Sequence, residues 1–250
     1  MAEMFSRRSF LRGVGYLVGI AAFGLALPES RGLDREANRN ELAEFLNRQI
    51  ENPEVLGPYT ANFLNHLRLS QPSEVRRAHN ADSKKKINAF VLDQERHVAE
   101  LDCRFDERRG IYVSHKRDGK SDINPGEAYN LVATAQHPKV LKYDFKDAEA
   151  ARNLIDSIDT SMPCVINADL FDNHRFGMSP QQFVDMSERL PNALISIGRK
   201  TDSGSIDDFV DQFIQLAADN PDKEFIMPAH IIDFLNNITE LRRVLDVPNI

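Results

Sequence analysis

Glu100 and Asp102 stand two positions apart in "AELDC", so a strand through them puts both carboxyl groups on one face. In "LKYDFK", Lys142, Asp144 and Lys146 alternate in the same way, with Leu141, Tyr143 and Phe145 pointing to the other side. Helical patterns flank this second stretch, Pro125 to Gln136 before it and Ala148 to Ile158 after it. Strands alternating with helices predict a parallel sheet covered on both faces, where a charged row has no easy exit to water. Carboxyl groups crowded together without compensation bind protons instead of staying ionised. Glu100, Asp102 and Asp144 therefore read as three hard oxygen ligands for a divalent cation, Mg²⁺ or Ca²⁺. Lys142 and Lys146 then read as buried cations beside a metal-and-anion site, at least one of them meeting a substrate phosphate. Other strand ends add to the set: His79 and Asn80 from "RRAHN", His115 from "YVSHK", Asn167 and Asp169 from "INADL", and Arg199 with Lys200 from "LISIGRK". Two histidines on separate strands can share the proton work of a displacement, one accepting from the nucleophile and one donating to the leaving oxygen.

Regular elements must bring these residues together. From residue 73 onward the chain alternates. A short strand runs into His79, and "SKKKINAFVLDQ" follows as a helix with Ser83 as its cap. Strands 97–106 and 110–116 form a hairpin-like pair across a tight charged turn. Then come helix 125–136, strand 140–146, helix 148–158, strand 163–171, helix 179–190, strand 193–200, helix 205–219, strand 224–230 and helix 231–245. That makes seven strands, and "VPNI" at 247–250 supplies the start of an eighth. With no Gly-rich phosphate loop after the first strand, the series predicts a (β/α)8 TIM-type barrel over 73–250, short at its closing strand, with its chemistry at the C-terminal strand ends. Residues 29–72 read as a helical lead-in, with Leu42, Phe45 and Leu46 at helical spacing and again Phe63, Leu64 and Leu67.

The 250 residues are enough for a sizeable core. The formal net charge is −7; Arg7, Arg8 and Arg12 against Glu3 leave +2 on residues 1–26, so the remainder carries −9. Such an acidic body excludes general nucleic-acid binding, which needs a basic face. Cys103 and Cys164 lie outside the polar set and read as buried thiols. "SRRSFLRG" (6–13) followed by "VGYLVGIAAFGLAL" resembles a bacterial twin-arginine export signal, a receptor-read address over residues 1–28. It implies the twin-arginine export machinery as a partner and a periplasmic or exported location. Ala26 is the cleavage candidate, and an uncleaved signal would leave the protein anchored or peripherally associated with the membrane.

The order His-Asn, Glu-x-Asp, a strand ending in His, then Asp-x-Lys resembles the phospholipase-C-like phosphodiesterase superfamily, which includes glycerophosphodiester phosphodiesterases and spider-venom phospholipase D enzymes. The blocks "AHNADSKKKI", "AELDCRF", "KYDFKD", "VINADLF" and "LISIGRKTD" are more closely similar to the menorin family, over roughly residues 75–230. The superfamily resemblance implies a His79/His115 acid–base pair, metal ligation by Glu100, Asp102 and Asp144 with Asn80 as a further ligand, and Lys146 as the lysine that neutralises phosphate. Two positions depart from the glycerophosphodiesterase pattern. His79-Asn80-Ala81 stands where that pattern has His-Arg-Gly, and His115-Lys116 stands where it has His-Asp.

The function expected from all this is a divalent-metal-dependent phosphodiesterase, a hydrolase or lyase, acting on a glycerophosphodiester or phospholipid-like substrate. Its nucleophile is either water or a hydroxyl of the substrate. The alternative is a catalytically inactive barrel that binds a phosphorylated or lipid headgroup; a third reading is a purely structural exported protein. Competing readings apply to single residues too. Glu100 and Asp102 read otherwise as a solvated strand end, and Asp144 with Lys146 as a buried ion pair without metal. Lys142, Asn167, Asp169 and Arg199 are the substrate-binding candidates, but Asn167 and Asp169 read otherwise as residues that orient the ligands, and Arg199 as a solvent-facing side chain.

Overall fold

Each long strand carries apolar side chains on one face and, towards its C-terminal end, polar ones on the other. The computed structural model describes residues 58–70, 74–117, 119–159, 161–171, 176–199 and 205–226. Its strands are β1 (Arg77–Ala78), β2 (Val98–Asp106), β3 (Gly110–Val113), β4 (Val140–Phe145), β5 (Cys164–Phe171), β6 (Ala193–Arg199) and β7 (Phe225–Ile226). Its helices are α1 (Pro58–Leu67), α2 (Lys84–Leu92), α3 (Pro125–Ala133), α4 (Ala148–Leu154), α5 (Pro180–Ser187) and α6 (Ile206–Asp219). Polar caps start α2 to α6 where the sequence places Ser83, Asn124, Asp147, Ser179 and Ser205. Asn124 with Glu127 and Ser179 with Gln182 close full capping boxes.

The sheet order is β1-β2-β4-β5-β6-β7, all parallel, with β3 antiparallel to the end of β2. This corrects the barrel expectation. Among the described residues the six parallel strands curl into a single half-barrel sheet, and a closed eight-stranded TIM barrel is not formed. Two features account for the shortfall. β3 does not add a rung of its own, because it folds back along the edge of β2 already shared with β1, turning at Gly110 with φ +69°. The outermost strands β1 and β7 are two residues each and do not pair with one another. The expected helix 231–245, the "VPNI" strand, most of the helical lead-in and the export signal lie outside the described residues.

Two cores hold the sheet. On the outer face Leu101, Tyr143, Phe145, Ile166, Ile195 and Ile197 pack against α2 to α6 through Phe90, Val132, Phe183, Phe209 and Phe213. On the inner face Val98, Val140, Val165, Leu194 and Ile226 meet Phe63, Leu64 and Leu67 of α1, which covers the N-terminal end of the half-barrel. The buried Glu224 carboxylate fastens that helix. It accepts hydrogen bonds from Tyr59 N (3.0 Å), Thr60 N (2.9 Å) and Thr60 Oγ1 (2.8 Å), at the helix end where a negative charge is favoured. With its lower inner face filled by apolar contacts, the half-barrel leaves the upper inner face for polar groups.

Candidate functional site

Strand register stacks the polar residues in rows across the inner face. Glu100 on β2 lies opposite Lys142 on β4. One row higher, Asp102 lies opposite Asp144, Asp144 opposite Asn167 on β5, and Asn167 opposite Ser196 on β6. Glu100 and Asp102 are only 3 % and 1 % exposed, so the solvated strand end does not describe them. Lys142, Asp144 and Asn167 are buried as well.

A continuous network compensates these groups. Lys142 Nζ donates to Glu100 Oε1 at 3.0 Å. Lys146 Nζ reaches Asp144 Oδ2 at 2.6 Å and Asp102 Oδ1 at 2.9 Å, bridging two strands. Asn167 Nδ2 donates to Asp144 Oδ1 at 2.7 Å, and Ser196 Oγ donates to Asn167 Oδ1 at 2.5 Å. Asn167 thus links the Asp144 carboxylate to Ser196 across β5.

Both histidines sit at the rim, each held by a different carboxylate of β2. His79 Nδ1 bonds Glu100 Oε2, and His115 Nδ1 bonds Asp102 Oδ2 at 2.9 Å. Their side chains are 60 % and 65 % exposed, so each ring presents its Nε2 edge outward while its Nδ1 is anchored. Asn80 follows His79 at φ +51°, a left-handed conformation that Asn tolerates, at the turn from β1 towards α2. Arg104 secures the other histidine: its Nε donates to Ser114 O at 3.0 Å and its Nη2 to His115 O at 2.9 Å.

The electrostatics follow from burial and these partners. Burial works against ionised Glu100, but Lys142 and Arg77, the latter 3.7 Å away, hold its pKa down to about 2. Burial is likewise opposed at Asp102, where Lys146 brings the pKa below the usual carboxylate range. Asp144 goes the other way, because burial outweighs the pull of Lys142 and Lys146. Burial, reinforced by Asp144, pushes Asp169 up to about 6. Lys146 has its pKa raised by Asp144 and Asp102 against a burial effect of opposite sign.

Sequence reading missed Asp82, Ser196, Arg77 and Arg104. Asp82 Oδ1 accepts from Asp102 N at 3.0 Å, and burial, followed by the charge of Asp102, lifts the Asp82 pKa to about 6. Its signal was its place three residues after His79 in a block already singled out; Ser196 was marked by its inner-face position in the alternation of β6. Arg199 ends β6, half-buried. Cys103 and Cys164 are buried free thiols on the outer face.

The donor chemistry of Glu100, Asp102, Asp144 and Asn80 suits a hard divalent cation, being all oxygen. Asn80 Oδ1 and Asp82 Oδ2 are buried without a hydrogen-bond partner among the described residues. Placement tells against a ready-made cage. Among the described residues no three His, Cys, Asp or Glu side chains converge so as to hold an ion. One ammonium stands between Asp102 and Asp144 and another on Glu100, so a cation would compete with lysine.

Neither a curated protein nor a solved structure matches this chain. The Menorin N-terminal domain matches residues 72–215, which is more than half of the sequence and contains every candidate site residue named above. On that match, the chain belongs to the menorin family.

Proposed function

We propose that this protein is a phosphodiesterase of the phospholipase-C-like kind, acting on a glycerophosphodiester or phospholipid-like substrate. The observation that carries the reading is the pair of histidine–carboxylate dyads, His79–Glu100 and His115–Asp102, whose carboxylates share one strand beside the buried Lys142 and the half-buried Lys146. A carboxylate at Nδ1 fixes the ring and stabilises its protonated form, which is what proton transfer at Nε2 requires. One histidine takes the proton of the attacking water or substrate hydroxyl as the new P–O bond forms. The other gives a proton to the departing alcohol oxygen as the old P–O bond breaks. Lys146 and Lys142 lie beside the row where negative charge accumulates on phosphorus-bound oxygens.

A divalent cation, Mg²⁺ or Ca²⁺, belongs to the proposal as a group that Glu100, Asp102 and Asp144, with Asn80, would hold only by displacing the Lys146 and Lys142 ammonium groups from those carboxylates; when bound it would offset charge on the phosphate oxygens. Export through the twin-arginine route, with work in the periplasm, is proposed from Arg7-Arg8 and the apolar run that follows.

The test is a panel of glycerophosphodiesters and lysophospholipids followed by ³¹P NMR, which separates hydrolysis from formation of a cyclic phosphate. Product from the wild type, lost in His115→Gln, supports the reading. Saturable binding with no product would replace it with the headgroup-binding alternative.

A further inference from the structure

A cavity of about 430 Å³ lies over the C-terminal tips of β2 and β4. Its wall includes Lys146, Arg104, Arg117 and Arg152, with Phe105 and Phe176 as apolar surface. Lys146 connects it to the Asp102–Asp144 row, and Arg104 connects it to the backbone of His115. The cavity therefore continues directly from the site where the diester would react.

Its charges are unevenly satisfied. Arg152 is paired with Glu149 at 2.5 Å, and Asp147 is used as the cap of α4, accepting from Ala150 N at 2.8 Å. Lys146 is neutralised by its two aspartates. Among the described residues Arg104 bonds carbonyl oxygens, which carry no formal charge. The Arg117 guanidinium has no acidic partner among the described residues, although this body of the chain is acidic. Among the described residues neither guanidinium has a carboxylate partner, because the two acidic groups of the cavity wall, Asp147 and Glu149, are engaged by backbone N–H groups and by Arg152; arginine is suited to carboxylate or phosphate.

We infer that this cavity is a subsite for a second anionic group, a carboxylate or a phosphomonoester on one ester arm of the substrate, with Arg117 as its main contact. The substrate class narrows accordingly to diesters whose alcohol arm carries its own negative charge. The inference rests on the phosphodiester reading for the reaction, but the binding of the anion is measurable without turnover.

Glycerophosphoserine and glycerophosphoethanolamine differ by one carboxylate and make a matched pair. The wild type is expected to favour the serine diester roughly tenfold in kcat/KM, the scale of one charge-assisted contact. Arg117→Ala should bring that ratio to within about twofold, and Arg117→Lys should keep part of it. Arg117 is exposed, so both variants should retain the wild-type circular dichroism. Equal use of the two diesters by the wild type, or a preference that Arg117→Ala leaves intact, overturns the inference. If neither diester is turned over, the phosphodiesterase reading fails, and calorimetry with the same pair decides the subsite. Tighter binding of glycerophosphoserine that weakens in Arg117→Ala keeps it; equal binding of both compounds removes it.

Discussion

Asp102 and Asp144 are direct register partners on neighbouring parallel strands, both buried, with the Lys146 ammonium within 3 Å of each. Two facing carboxylates in such surroundings cannot both stay ionised without a cation between them. The chain carries its own cation for this purpose, on the same strand as one of the pair.

Removing Lys146 should therefore unbalance the row. Lys146→Met is expected to lose about 3 kcal/mol of stability, the scale for breaking a buried pair from one side. Chemical denaturation measures it. If the proposed ion takes the vacated place, millimolar Ca²⁺ or Mg²⁺ should raise the Tm of Lys146→Met more than that of the wild type.

In the wild type, the same ions should raise Tm in a saturable way, since anything bound only by the folded state stabilises it. Asp102→Asn and Asp144→Asn should each abolish the rise. A flat response in all three proteins would remove the metal from the proposal.

His79→Gln and His115→Gln should each lower kcat/KM on any diester that is turned over by about 10²–10⁴-fold. Their exposure at the rim means that Tm should move by little, which separates lost proton transfer from lost fold.

Asp82 gives a pH signature. Burial and Asp102 raise its pKa from an ordinary 3.8 to about 6, so the folded chain holds this proton more tightly than the unfolded chain. Ionised Asp82 thus costs stability above about pH 6, and the cost fades as pH falls towards 4. Asp82→Asn keeps an oxygen for Asp102 N and should raise Tm at pH 8 in the presence of EDTA, with the gain vanishing near pH 4. Glu100, held at about 2, acts in the opposite sense: its contribution is present above its ordinary 4.5 and is lost as pH falls towards 2.

Thr60→Val tests the fastening of α1. It deletes the 2.8 Å hydroxyl bond to the buried Glu224 carboxylate and should cost about 2 kcal/mol, the scale of a bond to a charged group. Thermal unfolding of the full chain reads it.

What the sequence determined by itself was local and periodic. Alternation within "AELDC" put Glu100 and Asp102 on one face of their strand, and alternation within "LKYDFK" did the same for Lys142 and Asp144, because side chains on a strand alternate whatever lies around them. The cap at Ser83 was legible for the same reason, since a helix start is satisfied by residues next to it in the chain. The menorin likeness over roughly 75–230 agrees with the domain matched at 72–215. Tertiary structure decided the rest. A strand count cannot distinguish a strand that extends the sheet from one that doubles back, so β3 was counted towards a closed barrel while it lies antiparallel along β2. Nor does composition say which cation meets which carboxylate. That Lys146 bridges Asp102 and Asp144, that Lys142 takes Glu100, and that each histidine receives one carboxylate of β2 depend on register between strands. Register is fixed by packing across the whole sheet, and no single segment encodes it.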